Sequence, residues 1–268
     1  MAPSQIQRHD SDGMEAATFA RGAPDGIVAF LFDLDGVLTQ TAKVHAAAWK
    51  KMFDAFLRAR AEASGEPFVP FEIAADYGPY VDGKLREDGV RGFLESRGIE
   101  LPEGNPDDAT DQETVHGLAT RKNDLVLALI EERGVEVYEG SVRFVEAARD
   151  AGIRRAVVSA SKNCQAVLRA AGIEDLFEVR VDGVVAGREG LRGKPEPDTF
   201  LAAARLFGVE PAGCAVFEDA LAGVAAGRAG NFGWVVGVDR VGGGQADALR
   251  SHGADVVVGD LSELLEDS

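Results

Sequence analysis

The sequence predicts an α/β protein in which helices cover both faces of a parallel sheet and a helical insertion follows the first strand. Three observations support this fold class. Short apolar runs alternate with helical patterns over most of the chain, the runs are apolar on both faces, and residues 43–132 interrupt the alternation with helical periodicity. Two-sided apolar strands joined by helices are typical of parallel sheets.

Six apolar runs predict the strands. The first run, 27–32, ends in a polar loop that begins with Asp33. The other five runs are 156–158, 179–181, 214–217, 234–238 and 255–258. The helical patterns between them cover 142–151, 163–171, 198–207 and 220–229. Ligands of such sheets bind beyond the carboxyl ends of the strands, so polar residues that follow a run are candidates for chemistry.

The insertion contains three helical patterns and one irregular connection. The patterns cover 46–61, 90–97 and 118–130, and a Pro/Gly/Asp-rich connection occupies 101–111. We expect a flexible leader over 1–26, a core made of 27–42 and 133–268, and a helical cap over 43–132. The leader mixes Ser, Asp, Gly, Pro and Gln with few apolar positions, so no chemistry is expected from it.

The charge balance excludes several classes of partner. Among 268 residues, 28 Lys and Arg oppose 45 Asp and Glu, which leaves a formal net charge of -17. This field repels nucleic acid and anionic lipid, so neither is expected as a partner. An anionic substrate such as a phosphate ester would need local cations at its binding site.

Cysteine usage and hydropathy predict a cytoplasmic protein that does not enter a membrane. Cys164 and Cys214 are too few for a disulfide framework and lack the clustered spacing of a zinc site. The 27–32 run is far shorter than the ~18 apolar residues of a membrane span, and residues 1–26 lack a signal-peptide core. Glycines 242–244 lack the surrounding pattern of a phosphate-binding loop, so we expect a surface loop there.

Acidic residues follow two of the predicted strands. Asp33 and Asp35 come after the first run, with Gly36 next to them to allow a sharp turn, and Glu218 and Asp219 follow the 214–217 run. Four carboxylates at one edge of a sheet cannot all stay ionised without a cation. Hard oxygen ligands favour Mg²⁺, so the sequence predicts a magnesium site.

Two further residues at this edge complete a pattern suited to phosphoryl transfer. Ser159 follows the 156–158 run, and Lys194 lies in a Gly-Lys-Pro-Glu-Pro segment before a helix. A carboxylate such as Asp33 can attack phosphorus to form an aspartyl phosphate. Lys194 and the Ser159 hydroxyl can stabilise charge on the transferring oxygens, and Asp35 can protonate the leaving oxygen.

These motifs, in this order, resemble those of the haloacid dehalogenase superfamily. The resemblance is carried by Phe-Asp-Leu-Asp-Gly-Val-Leu-Thr at 32–39, Ser159, Gly-Lys-Pro at 193–195 and Glu-Asp at 218–219. It implies a Rossmann-like, doubly wound core with an inserted helical cap. It also implies that Asp33 is the nucleophile, that Asp35 is the acid/base, and that the metal ligands are Asp33, Asp35 and Asp219, with Glu218 assisting.

A narrower resemblance is to the beta-phosphoglucomutase-like subfamily. The residues that carry it are Thr41, Ala42, His45, Trp49, Gly83, Arg86, Glu87, Asp88, the charged run 121–124, and Ser159, Ala160, Ser161, Lys162 and Asn163. It implies that Arg86, Ser161, Lys162 and Asn163 bind the phosphate that is not transferred. It places His45 and Lys84 near the sugar and the acid/base. The chain departs from the usual Gly-Val-Ser-Arg of the subfamily, with Gly-Lys-Leu-Arg at 83–86.

Structural explanations exist for several of these residues. His45 lies on an amphipathic helical pattern and could be structural, and Trp49 could belong to the packing of the cap. Lys162 and Arg86 could be solvated surface cations. The run 121–124 could be a charged helix face with near-neighbour pairs.

The subfamily resemblance implies interconversion of beta-glucose 1-phosphate and glucose 6-phosphate, with glucose 1,6-bisphosphate as intermediate or activator. Two alternatives remain open. A sugar-phosphate phosphatase of the same superfamily shares the chemistry up to the aspartyl phosphate, and then water attacks. A sugar-phosphate sensor without catalytic activity would not need the unbroken catalytic set.

Overall fold

The computed structural model describes residues 20–265. Six strands form one parallel sheet in the order β3-β2-β1-β4-β5-β6. The strands are β1 (Ala29–Phe32), β2 (Arg154–Val158), β3 (Val179–Val181), β4 (Cys214–Glu218), β5 (Trp234–Val238) and β6 (Val256–Val258). The predicted α/β class is confirmed, and each of the six apolar runs overlaps a strand.

Helices occupy the connections. They are α1 (Ala42–Ser64), α2 (Arg86–Ser96), α3 (Val115–Arg133), α4 (Glu139–Asp150), α5 (Cys164–Ala170), α6 (Gly183–Glu189), α7 (Asp198–Phe207), α8 (Leu221–Ala229) and α9 (Gln245–Ser251). A π-helical segment spans Ile73–Val81, and 3-10 turns lie at Glu174–Leu176, Pro211–Gly213 and Leu261–Leu264. No helix in residues 20–265 is long and apolar enough to cross a membrane.

The sheet buries both of its faces because alternate residues of each strand point to opposite sides. In β1, Phe30 and Phe32 join an aromatic layer with Phe144 of α4 and Phe217 of β4. The intervening β1 residues pack on the other face, against α7 and α8. β1 is therefore central, and the loop after it emerges in the middle of one sheet edge.

The inserted helices α1, α2 and α3 have a core of their own. Trp49, Phe53, Phe71 and Phe93 are its large buried rings. Phe53 and Phe93 lie with their ring centroids 4.1 Å apart. The cap thus has its own hydrophobic cluster and does not depend on the sheet to bury these side chains.

The two connections between cap and core run side by side. The Gln40 N–H donates to the Glu136 carbonyl at 2.8 Å, and the Tyr138 N–H donates to the Leu38 carbonyl at 2.9 Å. Thr39 and Val137 form an antiparallel bridge between them. The chain enters and leaves the cap through one paired ribbon.

The predicted leader is described only from residue 20 onward; residues 1–19 lie outside the described part of the chain. Ala20 is buried and forms an antiparallel bridge with Leu265. The Arg21 N–H donates to the Leu264 carbonyl at 2.8 Å. Residues 20–21 therefore contact the end of the described chain.

Candidate active site

Three buried carboxylates meet where β1 and β4 end. Phe32 pairs with Phe217 in the sheet, so Asp33 emerges beside Glu218 and Asp219. The Asp33 N–H donates to the Phe217 carbonyl at 2.9 Å, which extends the strand pairing by one residue. One carboxylate oxygen from each of the three acids lies within 4.8 Å of the others.

Lys194 neutralises part of this charge. Its Nζ donates to Asp33 Oδ1 at 2.5 Å, to Glu218 Oε1 and to the Val158 carbonyl at 3.3 Å. Burial alone would lower the pKa of Lys194, but the Asp33 and Glu218 carboxylates outweigh burial and raise it. Lys194 is therefore a fixed positive charge beside the predicted nucleophile.

One lysine does not balance three acids. Burial raises the pKa of Asp33, and Glu218 and Asp35 raise it further against the opposing effect of Lys194. Burial also raises the pKa of Asp219, with Asp82 and Glu218 adding to it. Buried carboxylates with surplus negative charge and hard oxygen donors fit a divalent cation such as Mg²⁺. Asp33, Glu218 and Asp219 are the residues that could hold it.

Asp35 points away from this group and towards the cap. Its Oδ1 accepts a hydrogen bond from Thr41 Oγ1 and lies 3.5 Å from His45 Nε2. The turn after it is tight, because a Cβ on Gly36 would lie 1.8 Å from Asp219 Oδ2, and Gly36 has φ +92°. Only glycine fits there. The geometry suits proton transfer by Asp35.

His45 and Lys122 form a buried pair beside Asp35. Lys122 Nζ and His45 Nδ1 are 2.9 Å apart, and the ammonium lies 4.8 Å from the centre of the Trp49 ring. Burial and the positive charge of Lys122 lower the pKa of His45 to about 4. A neutral imidazole that accepts at Nδ1 carries its proton on Nε2, facing Asp35.

The loop after β2 is held by its own hydroxyl groups. Ser159 Oγ accepts from the Ser161 N–H at 3.1 Å, and Ser161 Oγ accepts from the Asn163 N–H at 3.1 Å. Ser159 is buried, and its N–H donates to Val181 of the neighbouring strand. These turns direct Ala160 and the residues after it towards the cap.

Cap and core meet again beyond this loop. Lys162 Nζ donates to Glu87 Oε1 at 2.9 Å, and Asn163 Nδ2 donates to Asn123 Oδ1 at 2.8 Å. Arg86 lies beside Glu87, with 3.8 Å between Nη2 and Oε1. The Arg86 Nε is buried without a hydrogen-bond partner. An unpartnered guanidinium nitrogen inside a cavity is a donor suited to an anion.

One cavity joins most of the predicted site. Its lining contains these predicted residues: Asp33, Asp35, His45, Trp49, Gly83, Lys84, Arg86, Ala160, Ser161, Lys162, Asn163 and Asp219. Gly83 brings the cap against the core, since a Cβ there would lie 3.0 Å from Ala220 Cβ. Trp49 belongs to the cap core and to the cavity wall. The Lys84 ammonium donates to the Pro79 carbonyl at 2.8 Å, within the cap.

Five polar lining residues were not among the predicted site residues: Tyr77, Asp82, Glu87, Lys122 and Asn123. The charged run 121–124 pointed to two of them, although a solvated helix face explained that run equally well. The structure buries Lys122. Asp82 and Tyr77 had no motif signal. Burial and Glu218 raise the pKa of Asp82 to about 7.

The parallel sheet, the inserted helices and the acidic group after β1 and β4 define a class of phosphoryl-transfer and related hydrolytic proteins. The chain belongs to the haloacid dehalogenase-like hydrolase family, which residues 27–231 match. It is 58% identical over 245 residues to a beta-phosphoglucomutase of Mycobacterium bovis, covering 91% of this chain and 94% of the relative.

Two further comparisons agree. A beta-phosphoglucomutase of Bacillus subtilis is 32% identical over 237 residues, with 88% of this chain and 91% of the relative covered. The crystal structure of a beta-phosphoglucomutase from Clostridium difficile is 28% identical and superposes with a TM-score of 0.68 over 89% of this chain and 93% of that chain. The predicted superfamily and subfamily are therefore confirmed.

Proposed function

We propose that the chain interconverts beta-glucose 1-phosphate and glucose 6-phosphate through an aspartyl phosphate on Asp33 and glucose 1,6-bisphosphate. A mutase must hold a bisphosphate by both of its phosphates. The observation that carries the proposal is that Asp33 shares one cavity with Arg86 and Lys162, two cations outside the acidic group. The identity of 58% to a beta-phosphoglucomutase supports it.

The proposed reaction has two transfers. Phosphorylated Asp33 gives its phosphoryl group to the sugar 6-hydroxyl, whose proton passes to Asp35, and the P–O bond to Asp33 breaks. The bisphosphate then reorients so that its other phosphate faces Asp33. Asp33 attacks the phosphorus on O1, the bond between that phosphorus and O1 breaks, and Asp35 returns the proton to O1. The cycle ends with glucose 6-phosphate and phosphorylated Asp33.

The neighbouring residues have supporting roles in this proposal. Lys194 and Ser159 stabilise charge on the phosphoryl oxygens. When bound, Mg²⁺ held by Asp33, Glu218 and Asp219 supplies further positive charge against those oxygens. Arg86, Ser161, Lys162 and Asn163 bind the phosphate that is not transferred. Closing the cap on this phosphate excludes the water that would hydrolyse the aspartyl phosphate.

The decisive experiment follows both products from beta-glucose 1-phosphate. Glucose 6-phosphate is measured with a coupled dehydrogenase, and inorganic phosphate is measured in parallel. We expect glucose 6-phosphate after a lag that glucose 1,6-bisphosphate abolishes, and no turnover by Asp33→Asn. Release of inorganic phosphate at the full rate, without glucose 6-phosphate, would make the chain a phosphatase.

A second test uses a variant of the second phosphate site, by which we mean the residues that bind the phosphate that is not transferred: Arg86, Ser161, Lys162 and Asn163. Arg86→Ala should reduce isomerisation about 10²-fold more than hydrolysis of acetyl phosphate, which has no second phosphate. Arg91→Ala is the matched control, because Arg91 lies on the same helix and its guanidinium pairs with Asp88 and Glu103. Equal losses on both substrates would contradict the role of Arg86.

Two further proposals concern cofactor and location. EDTA should remove activity and Mg²⁺ should restore it, and full activity in metal-free buffer would contradict the magnesium site. We propose a cytoplasmic location, which the two buried free thiols of Cys164 and Cys214 support.

A further inference from the structure

Loop 239–245, which follows β5 and ends at Gln245, the first residue of α9, contacts both loops that carry the acidic group. Arg240 Nε donates to the Gly36 carbonyl at 2.9 Å, and its Nη2 donates to the Val37 carbonyl at 3.2 Å. Gln245 Nε2 donates to the Asp219 carbonyl at 3.0 Å. One loop therefore holds the main chain of both the β1 loop and the β4 loop.

The conformation of loop 239–245 is built for this double contact. Gly242, Gly243 and Gly244 all have positive φ values, of +71°, +63° and +100°. This stretch turns the chain back, so that Gln245 Oε1 accepts from the Val241 N–H at 3.0 Å while Nε2 reaches Asp219. The sequence predicted only a surface loop for these glycines. In the structure they turn the chain so that both Oε1 and Nε2 of Gln245 form hydrogen bonds.

Arg240 is anchored on the side away from the acidic group. Its Nη1 donates to the Gly259 carbonyl at 2.7 Å and lies 3.1 Å from Asp260 Oδ2, and its Nη2 donates to Ser141 Oγ at 3.0 Å. The guanidinium lies 3.6 Å from the centre of the Tyr138 ring. A guanidinium fixed at this many points presents its remaining N–H groups to Gly36 and Val37 with little freedom.

The two held loops are in close contact at Gly36. The space at the Gly36 Cα is filled by the Asp219 carboxylate, since a Cβ on Gly36 would lie 1.8 Å from Oδ2. A small shift of either loop therefore changes where Asp219 lies relative to Asp33. Sites that bind a metal need their ligands held to within a fraction of an ångström.

We propose that Arg240 and Gln245 are positioning residues that fix Asp219 against the Asp33–Gly36 loop for metal binding. This inference rests on the proposed role of Asp219 as a magnesium ligand. Neither side chain touches the reacting atoms. Both act through the main chain of the two loops.

The test uses Gln245→Met in the full-length protein, a neutral change that keeps the length of the side chain and removes both hydrogen bonds. Ser251→Ala is the matched control, because its hydroxyl donates to the Ala248 carbonyl on the same helix and is exposed. The dissociation constant for Mg²⁺ is measured by calorimetry, and kcat and KM are measured alongside.

For Gln245→Met we expect the Mg²⁺ dissociation constant to rise and kcat to fall about fivefold each, the factor expected from losing the one neutral hydrogen bond that reaches Asp219. KM for the sugar phosphate should stay within about twofold, because the cations of the second phosphate site are untouched. Arg240→Lys keeps the positive charge but loses the planar guanidinium that donates to both Gly36 and Val37. It should also raise the Mg²⁺ dissociation constant. Ser251→Ala should match the wild type.

A lower melting temperature with an unchanged Mg²⁺ dissociation constant would make Gln245 merely structural and overturn the inference. A wild-type protein that isomerises its substrate but binds no Mg²⁺ in calorimetry would remove the metal role of Asp219, and the inference with it. A wild type that binds Mg²⁺ without isomerising would contradict the proposed function alone.

Discussion

At the scale of single residues, Glu87 sets the charge of the second phosphate site. Its carboxylate lies 2.9 Å from Lys162 Nζ and 3.8 Å from Arg86 Nη2. Burial is the largest influence and opposes ionisation, but the hydrogen bond from Lys162, a main-chain hydrogen bond and the charges of Lys162 and Arg86 together outweigh it and lower the pKa of Glu87. A negative charge among these cations weakens their attraction for a phosphate dianion.

Glu87→Gln should therefore lower KM for beta-glucose 1-phosphate about threefold, a small factor because Lys162 is partly exposed. This KM is measured by steady-state kinetics at saturating glucose 1,6-bisphosphate. Asp88→Asn controls for the loss of one negative charge, since Asp88 is the next residue on α2 and pairs with Arg91. A raised KM in Glu87→Gln would instead mean that Glu87 orients Lys162.

Lys122 makes stability depend on pH. Burial lowers its pKa to about 7, against 10.5 in an unfolded chain. Below pH 7 Lys122 is protonated in both the folded and the unfolded state, so the folded state is destabilised by the full desolvation of the buried charge. Between these values the unfolded chain binds more protons, so stability rises with pH. From pH 7 to pH 9 the wild type should gain about 2 kcal/mol more than Lys122→Met, measured by urea unfolding.

The control for this measurement is Lys51→Met, which removes an exposed lysine of α1. Its pH slope should equal that of the wild type. If all three proteins show the same slope, Lys122 is not buried as a cation in the folded state.

The site residues that could be predicted carry a pattern in the sequence, and the site residues that were missed do not. Asp33, Lys194 and Glu218 follow strands or precede a helix in a fixed order, and the ends of parallel strands must share one sheet edge. The burial of Lys122 depends on which face of α3 meets α1, and that contact is a tertiary one. Charge pattern alone cannot distinguish it from a solvated lysine.

At the scale of elements, the aromatic layer holds α4 to the sheet. The Phe144 ring stacks on Phe30 at 5.6 Å and meets Phe217 edge-on at 5.4 Å. Phe144 is fully buried. Phe144→Ala should lower the free energy of unfolding by about 3 to 5 kcal/mol, because it leaves a cavity between helix and sheet. Urea unfolding measures the change.

Leu206→Ala is the control for this prediction, because Leu206 on α7 is 62% exposed. Its effect should stay within about 0.5 kcal/mol. A comparably small loss for Phe144→Ala would show that α4 does not depend on this layer.

The elements themselves were predicted unevenly. All six strands were predicted, because apolar runs without helical gaps carry a clear signal. The helices α6 and α9 were missed, because α6 contains Gly183 and Gly187 and α9 directly follows three glycines, and glycines ordinarily indicate a loop. The π-helical segment Ile73–Val81 was also missed; it contains Gly78 and Pro79, which ordinarily indicate a loop.

At the scale of the whole molecule, the net charge of -17 makes the folded protein repel itself. Raising NaCl from about 0.01 M to about 0.15 M shortens the Debye length from about 30 Å to about 8 Å. The melting temperature at pH 7.5 should therefore rise by about 2 to 4 °C. Exposed ion pairs such as Arg91–Glu103 lose little by screening.

The control is the same titration near pH 5, close to the isoelectric point of about 4.7. There the net charge is small, and the melting temperature should respond much less to salt. A melting temperature that falls with salt at pH 7.5 would mean that local attractions outweigh the overall repulsion.

The paired ribbon between cap and core limits how the cap can move. Two strands joined at Gln40–Glu136 and Tyr138–Leu38 cannot swing separately without losing these hydrogen bonds. Bending or twisting of the whole ribbon keeps both hydrogen bonds. We therefore expect the cap to move as one body about this ribbon, with Gly83, Arg86 and Lys122 approaching or leaving the sheet edge together. Substrate would then enter through one concerted opening of the cap, without a separate loop movement.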